Sequence, residues 1–198
     1  MNRRILIATS NPGKLREFRH LLAPLGWDAV SQSELNVAPA DEPHLTFLEN
    51  ALAKARHAAS ATGLPALADD SGICVVALGG APGVLSARFA GEPSDDRRNN
   101  AELLRRMEHA PDRRAHYTCV LAAVRSVDDP EPLIADARWP GEILANPRGA
   151  GGFGYDPVFL LPDLGKTAAE LDPAEKNRIS HRGRAMAELA RKMVACWS

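Results

Sequence analysis

The run Ile5-Leu6-Ile7-Ala8 passes directly into Thr9-Ser10-Asn11-Pro12-Gly13-Lys14. A short apolar strand that empties into a polar, glycine-bearing turn and then a helix commits the chain to an α/β opening. The turn is suited to phosphate. The hydroxyls of Thr9 and Ser10 and the amide of Asn11 can donate to oxyanions, Gly13 permits close backbone approach, and Lys14 adds charge at a helix start. It is not a P-loop, because Ala8 stands where the first glycine belongs and Leu15 where a magnesium-binding hydroxyl belongs.

Leu15, Phe18, Leu21, Leu22 and Leu25 then recur at helical spacing, Gly26 ends that helix, and a short strand follows near Ala29-Val30. A polar loop carries Asp41 and Glu42. Thr46 and Glu49 form the ends of a capping box, predicting a helix from 47 to about 60 that projects Glu49, Asn50 and Lys54. Ala66-Leu67-Ala68 reads as a strand running into Asp69-Asp70-Ser71-Gly72, a turn, with a second strand over 73–78. Ser94-Asp95-Asp96 caps a charged helix reaching about 109, and strands over 117–127 and 132–140 flank a hairpin turn at Asp128-Asp129-Pro130. A last helix covers 181–195. No repeat or low-complexity linker interrupts this order, so the expectation is one α/β domain over 1–198 with a mixed sheet and loop-built clefts.

At 198 residues and 45% hydrophobic content the chain can bury a full core. A net charge of −1 supplies no global field for nucleic acid, so any anion site must be built locally. Arg97-Arg98, Arg105-Arg106 and Arg113-Arg114 alternate with acids and read as solvated helix surface. Cys74, Cys119 and Cys196 have neither zinc nor disulfide spacing, which suits a reducing compartment. With no secretory core and no apolar run of about 18 residues, a cytoplasmic protein acting on small molecules, without membrane or nucleic-acid partners, is expected.

Asp69 and Asp70 are the candidate chemistry. Adjacent residues on an extended backbone point to opposite faces, so only one can enter a given cleft. A carboxylate facing a phosphate loop can ligate Mg²⁺ or deprotonate an attacking water, and Asp41 or Glu42 offers a further oxygen ligand. Gly149-Ala150-Gly151-Gly152-Phe153-Gly154-Tyr155-Asp156 places four glycines around two aromatics. Phe153 could stack on a nucleobase while Tyr155 or Asp156 reads polar edges. Lys176, Ser180, His181 and Arg182 make a donor-rich turn at a helix start, where a bound anion or carbonyl gives cations a reason to stand.

In order, residues 9–14, Phe47 to Ala51 with Lys54, Asp69 to Gly72, Gly79 to Gly83 with Ser86 to Arg88, Gly152 to Asp156, and Ser180 to Arg182 resemble the non-canonical purine nucleoside triphosphate pyrophosphatases, also called inosine/xanthosine triphosphatases. The resemblance spans nearly the whole chain. It implies a Mg²⁺-dependent hydrolase that converts ITP, dITP and XTP to monophosphate and pyrophosphate. It also implies a two-lobed α/β domain with a long mixed sheet flanked by helices, a substrate cleft between the lobes, and a homodimer. By position, Thr9, Ser10, Asn11, Pro12, Gly13 and Lys14 would hold the triphosphate. Asp70 would accept a proton and ligate the metal with Asp41 or Glu42, a choice the loop leaves open. Ser71, Phe153, Gly154, Tyr155, Asp156, Lys176, His181 and Arg182 would contact the rest of the substrate. A binding module without turnover is the rival, and paired acids beside an anion loop argue against it.

Overall fold

Each of the longer helices begins where a side chain can satisfy its first amides. In the computed structural model, which describes residues 3–197, the first strand, β1 (Arg3–Ala8), leads into α1 (Pro12–Leu22). Asn11 caps α1, its Oδ1 accepting from Gly13 N at 2.8 Å and Lys14 N at 3.1 Å. After Gly26 the chain forms β2 (Trp27–Ser31) and then α2 (Phe47–Thr62). Thr46 caps α2, Glu49 N donating to its Oγ1 at 3.2 Å, but Glu49 Oε2 accepts from the Thr46 hydroxyl at 2.6 Å rather than from the Thr46 amide, so only half of the expected capping box forms. Next come β3 (Ala66–Val75), α3 (Asp96–Arg106), β4 (Arg114–Val124) and β5 (Leu133–Ile143). Two short strands, β6 (Phe159–Leu161) and β7 (Lys166–Thr167), precede α4 (Pro173–Ile179) and α5 (His181–Cys196).

The strands form one mixed sheet in the order β2-β1-β3-β4-β5-β6-β7. β1 runs parallel to both β2 and β3, while β5, β6 and β7 pair antiparallel. The α/β expectation with a mixed sheet flanked by helices is met. No described helix is long and apolar enough to cross a membrane.

The chain divides into two compact units. The first takes the chain up to Asp70, Cys119–Ala137 and the chain from Arg184; the second takes Ser71–Thr118 and Arg138–Gly183. In the first unit, side-chain alternation sorts the core into two layers. Ile5, Ile7, Leu67 and Cys119 pack with Phe18 and Leu22 of α1 and with Met186, Leu189 and Met193 of α5. Leu6, Ala8, Ala66 and Ala68 pack with Ala51, Ala55, Ala58 and Ala59 of α2. In the second unit Ile73, Leu103, Met107, Tyr117, Trp139 and Phe159 make the core.

Three sequence expectations need correction. Asp69 to Gly72 is no turn between strands: β3 runs unbroken from Ala66 to Val75. The carboxylates find cationic partners on either face, so the backbone need not bend out to water to solvate them. The strand expected over 73–78 stops at Val75, where a 3₁₀ turn over Val76–Leu78 closes on Gly79 at φ +62°. The donor-rich segment near the C-terminus is likewise two helices, with Lys176 inside α4 and Ser180 between α4 and α5.

Candidate active site

The first unit builds a candidate site where β1 ends beside the middle of β3. From β1 the chain passes through α1 to β2 on one side, then through α2 to β3 on the other, with the helices on opposite faces. Such a reversal opens a crevice beyond the strand ends, where α/β sheets receive ligands. Ala8 lies opposite Ala68 in the register, which sets Thr9 to Lys14 beside Asp69 and Asp70.

The alternation of β3 separates the two acids as the sequence requires. Asp69 shares a face with Leu67 and forms an ion pair with Lys14, and its second oxygen accepts from Cys119 Sγ at 3.3 Å. Asp70 shares the α2 face with Ala66 and Ala68. There Lys54 Nζ stands 2.9 Å from Asp70 Oδ1 and 2.8 Å from Glu42 Oε1. Asn50, 1% exposed, donates to Asp70 Oδ2 at 3.3 Å and exchanges hydrogen bonds with the backbone of His44. One helical face, through residues four apart, thereby holds both the acid and the loop that carries Glu42. Asp41 is exposed, and no hydrogen bond or ion pair joins it to this group.

Burial pushes the Asp70 carboxyl up, and the neighbouring Lys54 ammonium only partly opposes it. For Lys54 the balance is reversed: burial disfavours its charge, but Asp70 and Glu42 together outweigh burial and hold it protonated. Two carboxylates thus converge on one cation position. In the loop, Asn11 N donates to Thr9 Oγ1 at 3.2 Å and Gln32 Nε2 to Ser10 Oγ at 2.7 Å. Both hydroxyls accept in these bonds, which leaves each O–H to donate elsewhere. The amides of Gly13 and Lys14 are taken up by the Asn11 cap.

The second unit gathers the remaining predicted residues around Phe153. Gly152 and Gly154 flank it at φ +74° and +61°, and the ring is 38% exposed. A Cβ at Gly152 would come within 2.0 Å of Asp156 Oδ2. Asp156 is buried; it accepts from Phe153 N at 2.8 Å and Tyr117 Oη at 3.4 Å and pairs with Lys176. Burial first, and the Asp156 charge second, keep the Tyr117 phenol protonated and donating. Lys176 Nζ lies 4.8 Å and the Arg182 guanidinium carbon 5.8 Å from the Phe153 ring centre. Arg182 Nη2 donates to Ser71 Oγ at 3.0 Å, and the His181 ring stacks on Tyr117 at 4.7 Å and 6°. Tyr155 is in the core, its hydroxyl donating to Ser86 O at 2.8 Å.

Lys54 is the residue to which sequence reasoning assigned no role. The signal was present, because Asn50 and Lys54 share the polar stripe of a helix that is otherwise alanine-rich on its buried face.

The Thr9–Lys14 turn, the buried Asp70 carboxylate and the two lysines Lys14 and Lys54 are grouped where β1 ends beside the middle of β3. The chain belongs to the Ham1 family, whose model matches residues 5–192. It is 62% identical over 194 residues to a dITP/XTP pyrophosphatase of Ralstonia nicotianae, covering 96% of each chain. It is also 62% identical to the dITP/XTP pyrophosphatase of Nitrosomonas europaea, covering 96% of this chain and 94% of that one. The structure of a HAM1 protein from Coxiella burnetii superposes with a TM-score of 0.93 at 46% identity, covering 98% of this chain and all of that one. A nucleoside-triphosphatase, dITP/XTP pyrophosphatase, from Mycobacterium abscessus gives 0.75 at 42% identity, covering 94% and 97%.

Proposed function

We propose that the chain hydrolyses non-canonical purine nucleoside triphosphates, ITP, dITP and XTP, to the monophosphate and pyrophosphate. The observation that carries this reading is the convergence of Asp70 and Glu42 on one cation position beside the Thr9–Lys14 turn, in a chain 62% identical to dITP/XTP pyrophosphatases.

A triphosphate carries about four negative charges near neutrality, which must be screened before a water can approach phosphorus. Lys14 and the hydroxyls of Thr9 and Ser10 bind that charge. Asp70 is the proton acceptor: burial raises its affinity for a proton while Asn50 and Lys54 fix its two oxygens. It takes a proton from the attacking water as the bond between the α- and β-phosphoryl groups breaks, and pyrophosphate departs.

Asp70 and Glu42 also fit a magnesium ion. Both are hard oxygen donors brought together by the Lys54 ammonium, and Mg²⁺ commonly takes one or two carboxylates together with waters and substrate phosphates. Among the described residues no three acidic, histidine or cysteine side chains cluster, so a two-carboxylate set is the one available. Bound there, Mg²⁺ supplies charge to the phosphoryl oxygens. The geometry favours Glu42 over Asp41 as the second ligand.

The residues expected to meet the base are Phe153, His181 and Arg182. Phe153 offers a face for stacking, and Arg182 and His181 offer donors to the C6 carbonyl of hypoxanthine or xanthine. Adenine would set its amino donor against them, and one or two unpaired groups at about 1–3 kcal/mol each correspond to a 10- to 10⁴-fold rejection of ATP. A homodimer acting on the cytoplasmic nucleotide pool completes the reading, supported by the family resemblance.

The test is pyrophosphate release across ITP, dITP, XTP and the common nucleotides with Mg²⁺. Release from the inosine and xanthosine compounds with little from ATP is expected. Equal turnover of all common nucleotides would overturn the reading.

A further inference from the structure

The loop proposed to carry the base has few constraints of its own, since the glycines on both sides of Phe153 sit in the left-handed region and remove the side chains that would otherwise limit it. Asp156 holds Phe153 N, and α3 holds the residue that follows. Asp96, the first residue of that helix, accepts from Gly154 N through Oδ2 at 2.7 Å. One turn on, Asn100 Nδ2 donates to Gly154 O at 2.8 Å and to the Asp96 carbonyl at 2.7 Å. Both polar groups of the residue after Phe153 are therefore held by a single helix.

That helix is a fixed reference. Leu103 and the adjoining Met107 are fully buried in the core of the second unit, and Asn99 exchanges hydrogen bonds with Ala87 O and Ala90 N at 2.9 and 2.8 Å. The Asn100 amide is oriented by its donor end at the expense of its acceptor end, because its Oδ1 is buried with no hydrogen-bond partner among the described residues. An unpaired buried acceptor is unfavourable by itself. Its orientation is explained by the two carbonyls that Nδ2 serves, one of them in the Phe153 loop.

We propose that Asp96 and Asn100 are positioning residues for the nucleobase: by clamping the N–H and C=O of Gly154 they fix the Phe153 ring in the pose that receives the purine. This deepens the proposed function and rests on its assignment of Phe153 to the base. Neither residue is given a part in hydrolysis, so their loss acts on binding and on selection of the base.

The test compares Asp96→Ala, Asp96→Asn, Asn100→Ala and Asn100→Asp in the full chain. For ITP, Asp96→Ala and Asn100→Ala are expected to raise KM five- to thirtyfold with kcat within about twofold, and to lower the ratio of kcat/KM for ITP over ATP. Asp96→Asn retains an oxygen acceptor for Gly154 N and is expected to restore KM to within about threefold of wild type, which separates hydrogen bonding from charge. Asn100→Asp turns an acceptor toward two carbonyls and is expected to be worse than Asn100→Ala. Amide exchange of Gly154 in the unliganded protein supplies a readout independent of catalysis, with at least tenfold faster exchange expected in Asp96→Ala. Unchanged KM in both alanine variants, or unchanged Gly154 exchange, overturns the inference. A wild type that releases no pyrophosphate from ITP overturns the function and leaves the exchange experiment to decide the clamp.

Discussion

Replacing Lys54 with Met isolates the electrostatics of the first unit. The ammonium is 11% exposed and holds Asp70, 9% exposed, and Glu42, 30% exposed, at 2.9 and 2.8 Å. Methionine keeps most of the volume and removes the charge, leaving Asp70 buried without its cation. Breaking a buried ion pair in this way costs about 3–5 kcal/mol. Asp70 can limit that penalty by taking up a proton. For a carboxylate of ordinary pKa near 3.9, protonation at pH 7 costs about 1.36 × 3.1, or roughly 4 kcal/mol, which sets a ceiling. A loss of about 3–4 kcal/mol is therefore expected, equivalent to a fall in Tm of roughly 6–16 °C for a domain of this size. Scanning calorimetry with a chelator present measures it. Adding Asp70→Asn to the same chain removes the stranded charge, and the double variant is expected to recover about 2 kcal/mol or more of the loss. A Lys54→Met protein melting within 2 °C of wild type, or a double variant less stable than the single one, would refute the picture of a cation required by the buried Asp70 and the half-buried Glu42.

Asp70→Asn alone is expected to lower kcat by about 10³-fold or more while circular dichroism stays that of wild type, since Lys54 keeps Glu42 as a partner. Glu42→Gln is expected to raise the Mg²⁺ concentration needed for half-maximal rate at least tenfold and Asp41→Asn to leave it within twofold, a contrast read from magnesium titrations of ITP turnover. Gly183→Ala would bring a Cβ within 1.7 Å of the Asn177 carbonyl. Backbone must then shift at the α4–α5 junction, costing about 3 kcal/mol in thermal or urea unfolding. Asp129 is 3% exposed, and its carboxyl is lowered to about 2, first by the Arg125 side chain and also by the backbone amides of Arg125 and Glu131. A depressed folded pKa contributes stability above the unfolded value near 4 and loses it as pH falls toward 2. Asp129→Asn is thus expected to lower Tm at pH 7, by about 1–2 kcal/mol in stability terms, with the gap closing between pH 4 and pH 2.

Local rules reach far into this chain because its signals are local. Asn11, Thr46 and Asp95 lie within three residues of the amides they cap, so the starts of α1, α2 and α3 follow from short-range chemistry. The period of two along β3 is equally local and already sends Asp69 and Asp70 to opposite faces. The order of the motifs carried the family as well, because six short patterns in sequence are specific where each alone is not. Partnership across distance is of another kind. Asp70 meets a lysine 16 residues away and Glu42 meets the same lysine at a separation of 12. Those contacts depend on which face of α2 packs on the sheet, and that was decided by the alanine layer above Leu6 and Ala8. The contacts of Lys54 with Glu42 and Asp70, the exposure of Asp41, and the unbroken course of β3 through two carboxylates emerged only there. A charge on a strand reads as a turn until the chain that neutralises it is folded against it, since solvation by a distant side chain leaves no mark on the neighbouring sequence.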